Sequence, residues 1–267
     1  MNQPRFLNLA CGATYVDTPQ WLNLDYTPLG PAVRQADLLG PLPVADASLQ
    51  LVYSSHFIEH VPRTHIAGLL RECHRVLQPG GLLRLVVPDM QEMCSRYVQA
   101  RNAGDHEIAD VLVLEMLDQC VRKRAGGELA ELYDRVRSGP ADSSMRRFIF
   151  ERSGETLAAD SAPAMARPFF SRMQGAIERR YVRLVLRLLP RAFRQQNVSL
   201  ADVGELHAWL YDKHTLGALL LQAGFSQPQV MAHDRSAEPN FPFVPLDTTS
   251  AGRPRKGLQS LYLEARA

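Results

Sequence analysis

Residues 5–90 alternate short apolar runs with turn residues, and that alternation restricts the fold more than any other feature of the chain. The runs "FLNLA" (6–10), "WLNLD" (21–25), "LQLVYSS" (49–55) and "LLRLVVPD" (82–89) have strand length and the near-continuous apolar character of strands buried on both faces. Between the last two, "PRTHIAGLLRECHRVLQPGG" sets Ile66, Leu69, Leu70, Cys73, Val76 and Leu77 at helical spacing. Pro62 suits the first turn of that helix, and Pro79-Gly80-Gly81 stops it. Strands alternating with a helical crossover predict a parallel α/β sheet.

The first crossover is abbreviated. Only residues Ala13 to Gln20 separate the turn after "FLNLACG" from Trp21. A full crossover helix with its turns needs about ten residues or more, so this helix should be a short turn or absent. Helical patterns dominate from residue 91 to 206, among them "MQEMCSRYVQARNAGD" and "HEIADVLVLEMLDQCVRKR". The softer stretch from "SGPADSS" to "ETLAADSAPAM" (138–165) reads as loop. The strand–helix rhythm then resumes: "DKHTLGALLLQAGF" (212–225) is a capped helix closed by Gly224, and "QPQVMAHD" and "GLQSLYLEARA" are two final strands.

Bulk properties exclude several classes. A net charge of +2 is too balanced to argue for nucleic acid as a partner. Cys11, Cys73, Cys94 and Cys120 form no C-x-x-C pair, which favours reduced thiols over a zinc cluster. The start "MNQPRFLNLACG" has no apolar signal core, and no apolar run reaches membrane-spanning length, so a cytoplasmic protein is expected.

In motif order the chain resembles the class I S-adenosylmethionine-dependent methyltransferases, and more narrowly a compact subgroup associated with surface-polysaccharide synthesis. The resemblance implies a Rossmann-like, doubly wound, mostly parallel sheet from residues 1–90 and 207–267. Residues 91–206 would be a mainly helical insertion after the fifth strand, forming a lid and acceptor region. It also implies S-adenosylmethionine as cofactor. The family's acid-x-Gly-x-Gly turn corresponds to Asn8, Ala10 and Gly12. Asn8 can bond an ammonium but lacks the acid's charge, and Ala10 is tolerable there only with a negative φ. With the helix missing, the backbone of Cys11 to Thr14 is the nearest source of donors for the cofactor carboxylate. Asp25, followed by Tyr26, matches the acid that holds the ribose hydroxyls. Asp37 and Leu38 match the adenine contact, and Ser54 lies at the fourth strand's end. Asn8 and Ala10, as departures from the pattern, leave open a non-catalytic scaffold, or a different reaction on the same cofactor.

Transfer to a hydroxyl needs a base, and histidine titrates in the right range. His60 in "FIEHVP" and His207 in "HAWLYDKH" are the catalytic candidates. The alternatives are that His60 caps its helix and His207 holds the lid. Tyr211, His56, Glu59 and Asp89 could also line the pocket. No carboxylate cluster suggests magnesium, and no metal is expected. The acceptor is a small molecule, and the resemblance favours a sugar or glycan hydroxyl. Within 171–195, seven arginines oppose Glu178 alone, and Arg179, Arg183, Arg187 and Arg191 recur every four residues. Such a helix (176–195) can lie on anionic lipid or bind a phosphate-rich ligand, or it can be a solvated lid helix.

Overall fold

The computed structural model describes residues 4–140, 143–154, 180–182, 184–191, 193–194, 198–199 and 204–267. Its strands are β1 (Phe6–Leu9), β2 (Trp21–Asp25), β3 (Val33–Gln35), β4 (Leu49–Ser55), β5 (Leu77–Pro88), β6 (Ser226–Met231) and β7 (Ser260–Arg266). They form one sheet in the order β3-β2-β1-β4-β5-β7-β6. Strands β1 to β5 are parallel to their neighbours, and β7 runs antiparallel to both β5 and β6. This is a doubly wound, Rossmann-like sheet whose direction reverses at one edge.

No helix lies between β1 and β2, as the short spacing requires. Side chains alternate across the sheet. On one face Leu7, Leu9, Leu24, Val52 and Leu83 pack under helix α1 (Arg63–Val76), and Leu216 and Leu220 pack from the helix placed later in the chain. On the other face Phe6, Trp21, Leu51, Tyr53 and Val86 meet Phe241 and Leu246. The connection between the last two strands thus covers apolar surface that a first crossover helix would otherwise help to cover.

Two boundaries differ from the sequence reading. Helix α1 ends at Val76 rather than at the Pro-Gly-Gly stop, because Leu77 pairs with Leu49 and opens β5 early. After β5 come α2 (Met90–Ala103), α3 (His106–Val121), α4 (Gly127–Ser138) and α5 (Ser144–Ser153). The last lies inside the stretch read as loop; "ETLAADSAPAM" is outside the described residues. Helix α5 forms because the Ser143 hydroxyl accepts from the Arg146 amide and because Phe148 and Ile149 are buried. Its C-terminal end is fixed to the sheet domain: the Leu258 and Gln259 amides donate to the Glu151 and Arg152 carbonyls. Gly257, at φ +69°, admits this contact, since a Cβ there would lie 1.9 Å from the Arg152 carbonyl oxygen.

The chain returns to the sheet through helix α6 (Lys213–Gln222), where Asp212 accepts from the Thr215 amide, and a single turn, α7 (Phe243–Leu246), precedes β7. All four cysteines are free. Of the Arg-rich segment, residues 171–179, 183, 192 and 195 lie outside the described residues, and 180–182 and 184–188 are helical. Among the described residues no helix is long and apolar enough to cross a membrane.

Candidate active site

Strand order reverses where β1 lies between β2 and β4, and ligands of doubly wound sheets bind beside the carboxyl ends of strands at such a point. The turn leaving β1 is tight and strained. Ala10 adopts φ +57° and Gly12 φ +54°, so Ala10 occupies the left-handed region that the sequence reading excluded for it. The turn requires the conformation and its neighbours hold it: the Cys11 amide donates to the Leu24 carbonyl, and the Gly12 amide donates to Asp25 Oδ2 at 2.8 Å. Non-glycine residues kept at positive φ gather at functional turns.

These bonds change the role expected of Cys11 to Thr14. The amides of Cys11, Gly12 and Thr14 donate within the protein. Among the described residues, only the Ala13 amide of this turn has no protein acceptor. Asn8 is buried, and its Nδ2 donates to the Thr14 carbonyl at 3.0 Å, so it braces the turn from beneath. Ser54 is likewise buried and bonds the Leu9 carbonyl across β1 and β4. Cys11 is buried; desolvation, reinforced by the charge of Asp25, pushes its thiol up to about 12.

Asp25 terminates β2 with Oδ1 accepting from the Thr27 amide and Oδ2 from Gly12, both at 2.8 Å. Each carboxylate oxygen keeps a second lone pair for a ligand hydroxyl. Asp37 is exposed and accepts from the Leu39 amide, while Leu38 is buried and Tyr26 is exposed. A Cβ on Gly12 would meet nothing within 4 Å, so the turn borders open space. Open space, a strained turn and a carboxylate with free lone pairs fit a nucleoside-bearing cofactor.

The histidine candidates converge at the same carboxyl edge. Strand β4 ends at Ser55, His56 follows with φ +51°, and a short 3-10 turn (Ile58–His60) comes next. The segment returning from the helices is stitched to this turn: the Ala208 and Trp209 amides donate to the Glu59 carbonyl, and the His207 amide donates to Gln119 at the end of α3. The His60 and His207 rings therefore meet edge to face with centroids 4.7 Å apart. His60 Nδ1 bonds the Leu206 carbonyl at 2.9 Å. His56 Nε2 bonds Ser260 Oγ at 3.0 Å, and its Nδ1 lies 3.4 Å from Glu59 Oε1.

Glu59, which the sequence reading gave only a minor place, is the centre of this cluster. Its side chain is 0% exposed, and neither carboxylate oxygen has a hydrogen-bond partner. Burial raises its carboxyl to about 8. Desolvation, with His60 and Arg122 nearby, lowers His207 to about 3. His60 is also lowered by burial, although the carbonyls of Leu206 and His56 oppose this. His207 Nδ1 and the Tyr211 hydroxyl are buried without partners as well. Several unsatisfied polar groups in one place are uncommon, since nearly all buried polar atoms find partners.

Residues 13–85 match the model of a methyltransferase domain. Solved structures similar to this chain include S-adenosylmethionine-dependent methyltransferases from three organisms. The one from Archaeoglobus fulgidus is 11% identical, with 99% of this chain and 86% of that chain covered and a TM-score of 0.44. The one from Mesorhizobium loti is 16% identical, covering 99% and 91%, with a TM-score of 0.38. The one from Methanosarcina mazei is 13% identical, covering 100% and 93%, with a TM-score of 0.39. No curated protein matches the chain. These overall likenesses are low, and the assignment rests on the matched domain together with the strand order. Residues 13–85 thus match a methyltransferase domain within a sheet of Rossmann-like order, and that match supports S-adenosylmethionine as the cofactor.

Proposed function

We propose that the protein transfers a methyl group to a hydroxyl of a sugar, a glycan intermediate or another small molecule. The observation that carries this reading is the gathering of Glu59, His60 and His207 at the carboxyl edge of β4, beside the strained turn of β1. Bound S-adenosylmethionine supplies a methyl carbon on a sulfonium, whose carbon–sulfur bond breaks with its electrons left on sulfur. Asp25 and the turn at Ala10 to Gly12 hold the nucleoside end. The cluster receives or redirects the proton that a hydroxyl releases as its oxygen bonds to carbon. Helices α2 to α5 leave the sheet after β5 at this same edge and supply the acceptor side of the pocket. The compact-subgroup resemblance is what favours a sugar or glycan.

An acceptor attached to a lipid carrier suits the Arg-rich segment. Among the helical residues 180–182 and 184–188, helical spacing sets Arg180 and Arg187 on one side, whereas Tyr181, Val185 and Leu188 fall on the other and are exposed, Leu188 by 81%. Basic charge beside exposed apolar surface fits an anionic membrane face. Greater co-sedimentation with anionic than with neutral vesicles is expected, and equal partitioning retires this part of the reading.

The reaction is tested with isotopically labelled S-adenosylmethionine and a panel of free, nucleotide-linked and lipid-linked sugars. A labelled methyl ether in the product, lost in His60→Ala, is expected. Label appearing only on nitrogen or sulfur acceptors overturns the hydroxyl assignment.

A further inference from the structure

We propose that Glu59, His60 and His207 form a binding site for a divalent first-row transition cation. From the sequence no metal is expected, since no carboxylate cluster suggests magnesium; only the fold brings His207 beside Glu59 and His60. In the structure one carboxylate oxygen of Glu59 and one ring nitrogen from each histidine all lie within 4.8 Å of one another. Ligands about 2.1 Å from a single ion lie about 3–4 Å apart, so small side-chain rotations close the set.

The hydrogen bonding around the cluster leaves these atoms available. The Leu206 carbonyl can only accept, so His60 carries its proton on Nδ1 and keeps a lone pair on Nε2. Fixing one ring nitrogen on a carbonyl is the usual way a protein orients a ligating histidine. His207 Nδ1 and both Glu59 oxygens are buried with no hydrogen bond. Both segments are rigidly placed, since the backbone of Glu59 accepts from Ala208 and Trp209 and the backbone of His207 is tied to Gln119. His56, 3.4 Å from Glu59 Oε1 and anchored on Ser260, borders the carboxylate from behind.

Charge points the same way. A carboxylate buried with no partner is costly, whereas two neutral imidazoles and one carboxylate around a divalent ion leave a net charge of +1. Lys256 acts electrostatically on Glu59, His56 and His60 and offsets part of that attraction. A set of two nitrogens and one oxygen suits manganese, iron, cobalt or zinc better than magnesium or calcium. With three protein ligands a coordination position stays open, and a hydroxyl bound there would lose its proton more readily. That catalytic role rests on the hydroxyl-acceptor reading; the existence of the site does not.

The test uses the full chain, stripped with chelator and titrated with Zn2+, Mn2+ and Co2+ by calorimetry, with Co2+ also followed by its visible absorption. One equivalent of at least one ion is expected. Glu59→Gln and His207→Gln, which alter the two segments separately, should each weaken binding by about tenfold or more. Thermal melts and S-adenosylmethionine binding serve as controls for folding. No stoichiometric binding by folded, cofactor-binding wild type overturns the proposal, as does unchanged affinity in both variants. Bound ion whose removal leaves methyl transfer unaltered keeps the site and overturns its catalytic role. Bound ion with no transfer to any hydroxyl sinks the hydroxyl reading alone.

Discussion

Two buried charged clusters lie in the sheet domain and differ in one respect. Around Arg84, every charged atom has a partner. Nε donates to Asp247 Oδ2 at 2.7 Å, Nη1 to Glu264 Oε1 and the Arg235 carbonyl, and Nη2 to the Ala232 carbonyl. The Tyr53 hydroxyl completes Asp247, and Ser236 and Ala237 complete Glu264. Around Glu59 the carboxylate, one imidazole nitrogen and the Tyr211 hydroxyl are equally dry and unmatched. The Arg84 cluster joins β5, β7 and the connection to α7, so it secures the sheet's antiparallel edge. The neighbouring histidines His60 and His56 tie in Leu206 and Ser260, but the Glu59 carboxylate itself contributes no hydrogen bond to the fold. Burial alone therefore does not distinguish the two clusters; a carboxylate with neither oxygen matched does.

The largest effect separates the two clusters directly. Replacing Arg84 with Met strands Asp247 and Glu264 together in the core, and loss of one partner from a buried ion pair costs about 3–5 kcal/mol. Urea denaturation should show a loss of that size. Glu59→Gln removes no hydrogen bond and, with the carboxyl raised to about 8, exchanges one largely neutral group for another near pH 7, so in the metal-free protein it should leave unfolding free energy nearly unchanged. A large destabilisation by Glu59→Gln would make that cluster structural too and erase the contrast.

Asp25 lies between these extremes, with one protein donor on each oxygen and one lone pair to spare on each. Asp25→Ala should weaken S-adenosylmethionine binding by about tenfold or more, because two charge-assisted hydrogen bonds to the ribose disappear. Calorimetry with the cofactor and with S-adenosylhomocysteine measures this, and unchanged affinity would limit Asp25 to its turn.

Burial without ligand function should also be visible at the cysteines. Cys11 and Cys73 are both raised to about 12 by burial, so at pH 8 each stays a protonated, shielded thiol. Cys94 is exposed. Iodoacetamide followed by peptide mass spectrometry should label Cys94 first and leave Cys11 and Cys73 unmodified until the protein unfolds. Early modification of Cys11 would mean that the turn after β1 opens in solution.

Much of this fold was legible because its parallel strands are buried on both faces and so appear as unbroken apolar runs. The missing first helix was legible from spacing alone. Helix α5 was not, since "SMRRFIFERS" is mostly polar; only the Ser143 cap and Gly154 at its far end signalled it. His60 and His207 stood out as titratable residues near strand ends. Their meeting depends on how the helices after β5 return the chain, with Leu206 bonding His60 across 146 residues. Glu59 could not be singled out, because an unsatisfied carboxylate is a property of surroundings rather than of sequence.

The smallest expected effect concerns the other cost stored in the site, backbone strain. A non-glycine residue in the left-handed region costs about 1–2 kcal/mol, and glycine returns part of any relief as unfolded-state entropy. Ala10 also packs its methyl partly against the core, which glycine would forgo. Ala10→Gly should therefore stabilise the protein by only about 0.5–1 kcal/mol, a rise in Tm of roughly 2 °C. If the strain fixes the turn for the cofactor, the same variant should bind S-adenosylmethionine more weakly despite melting higher, because a freer backbone must be ordered on binding. A lower Tm would mean that the methyl contact outweighs the strain. Unchanged affinity with a higher Tm would mean that Gly12 and Asp25 set the turn without help from Ala10.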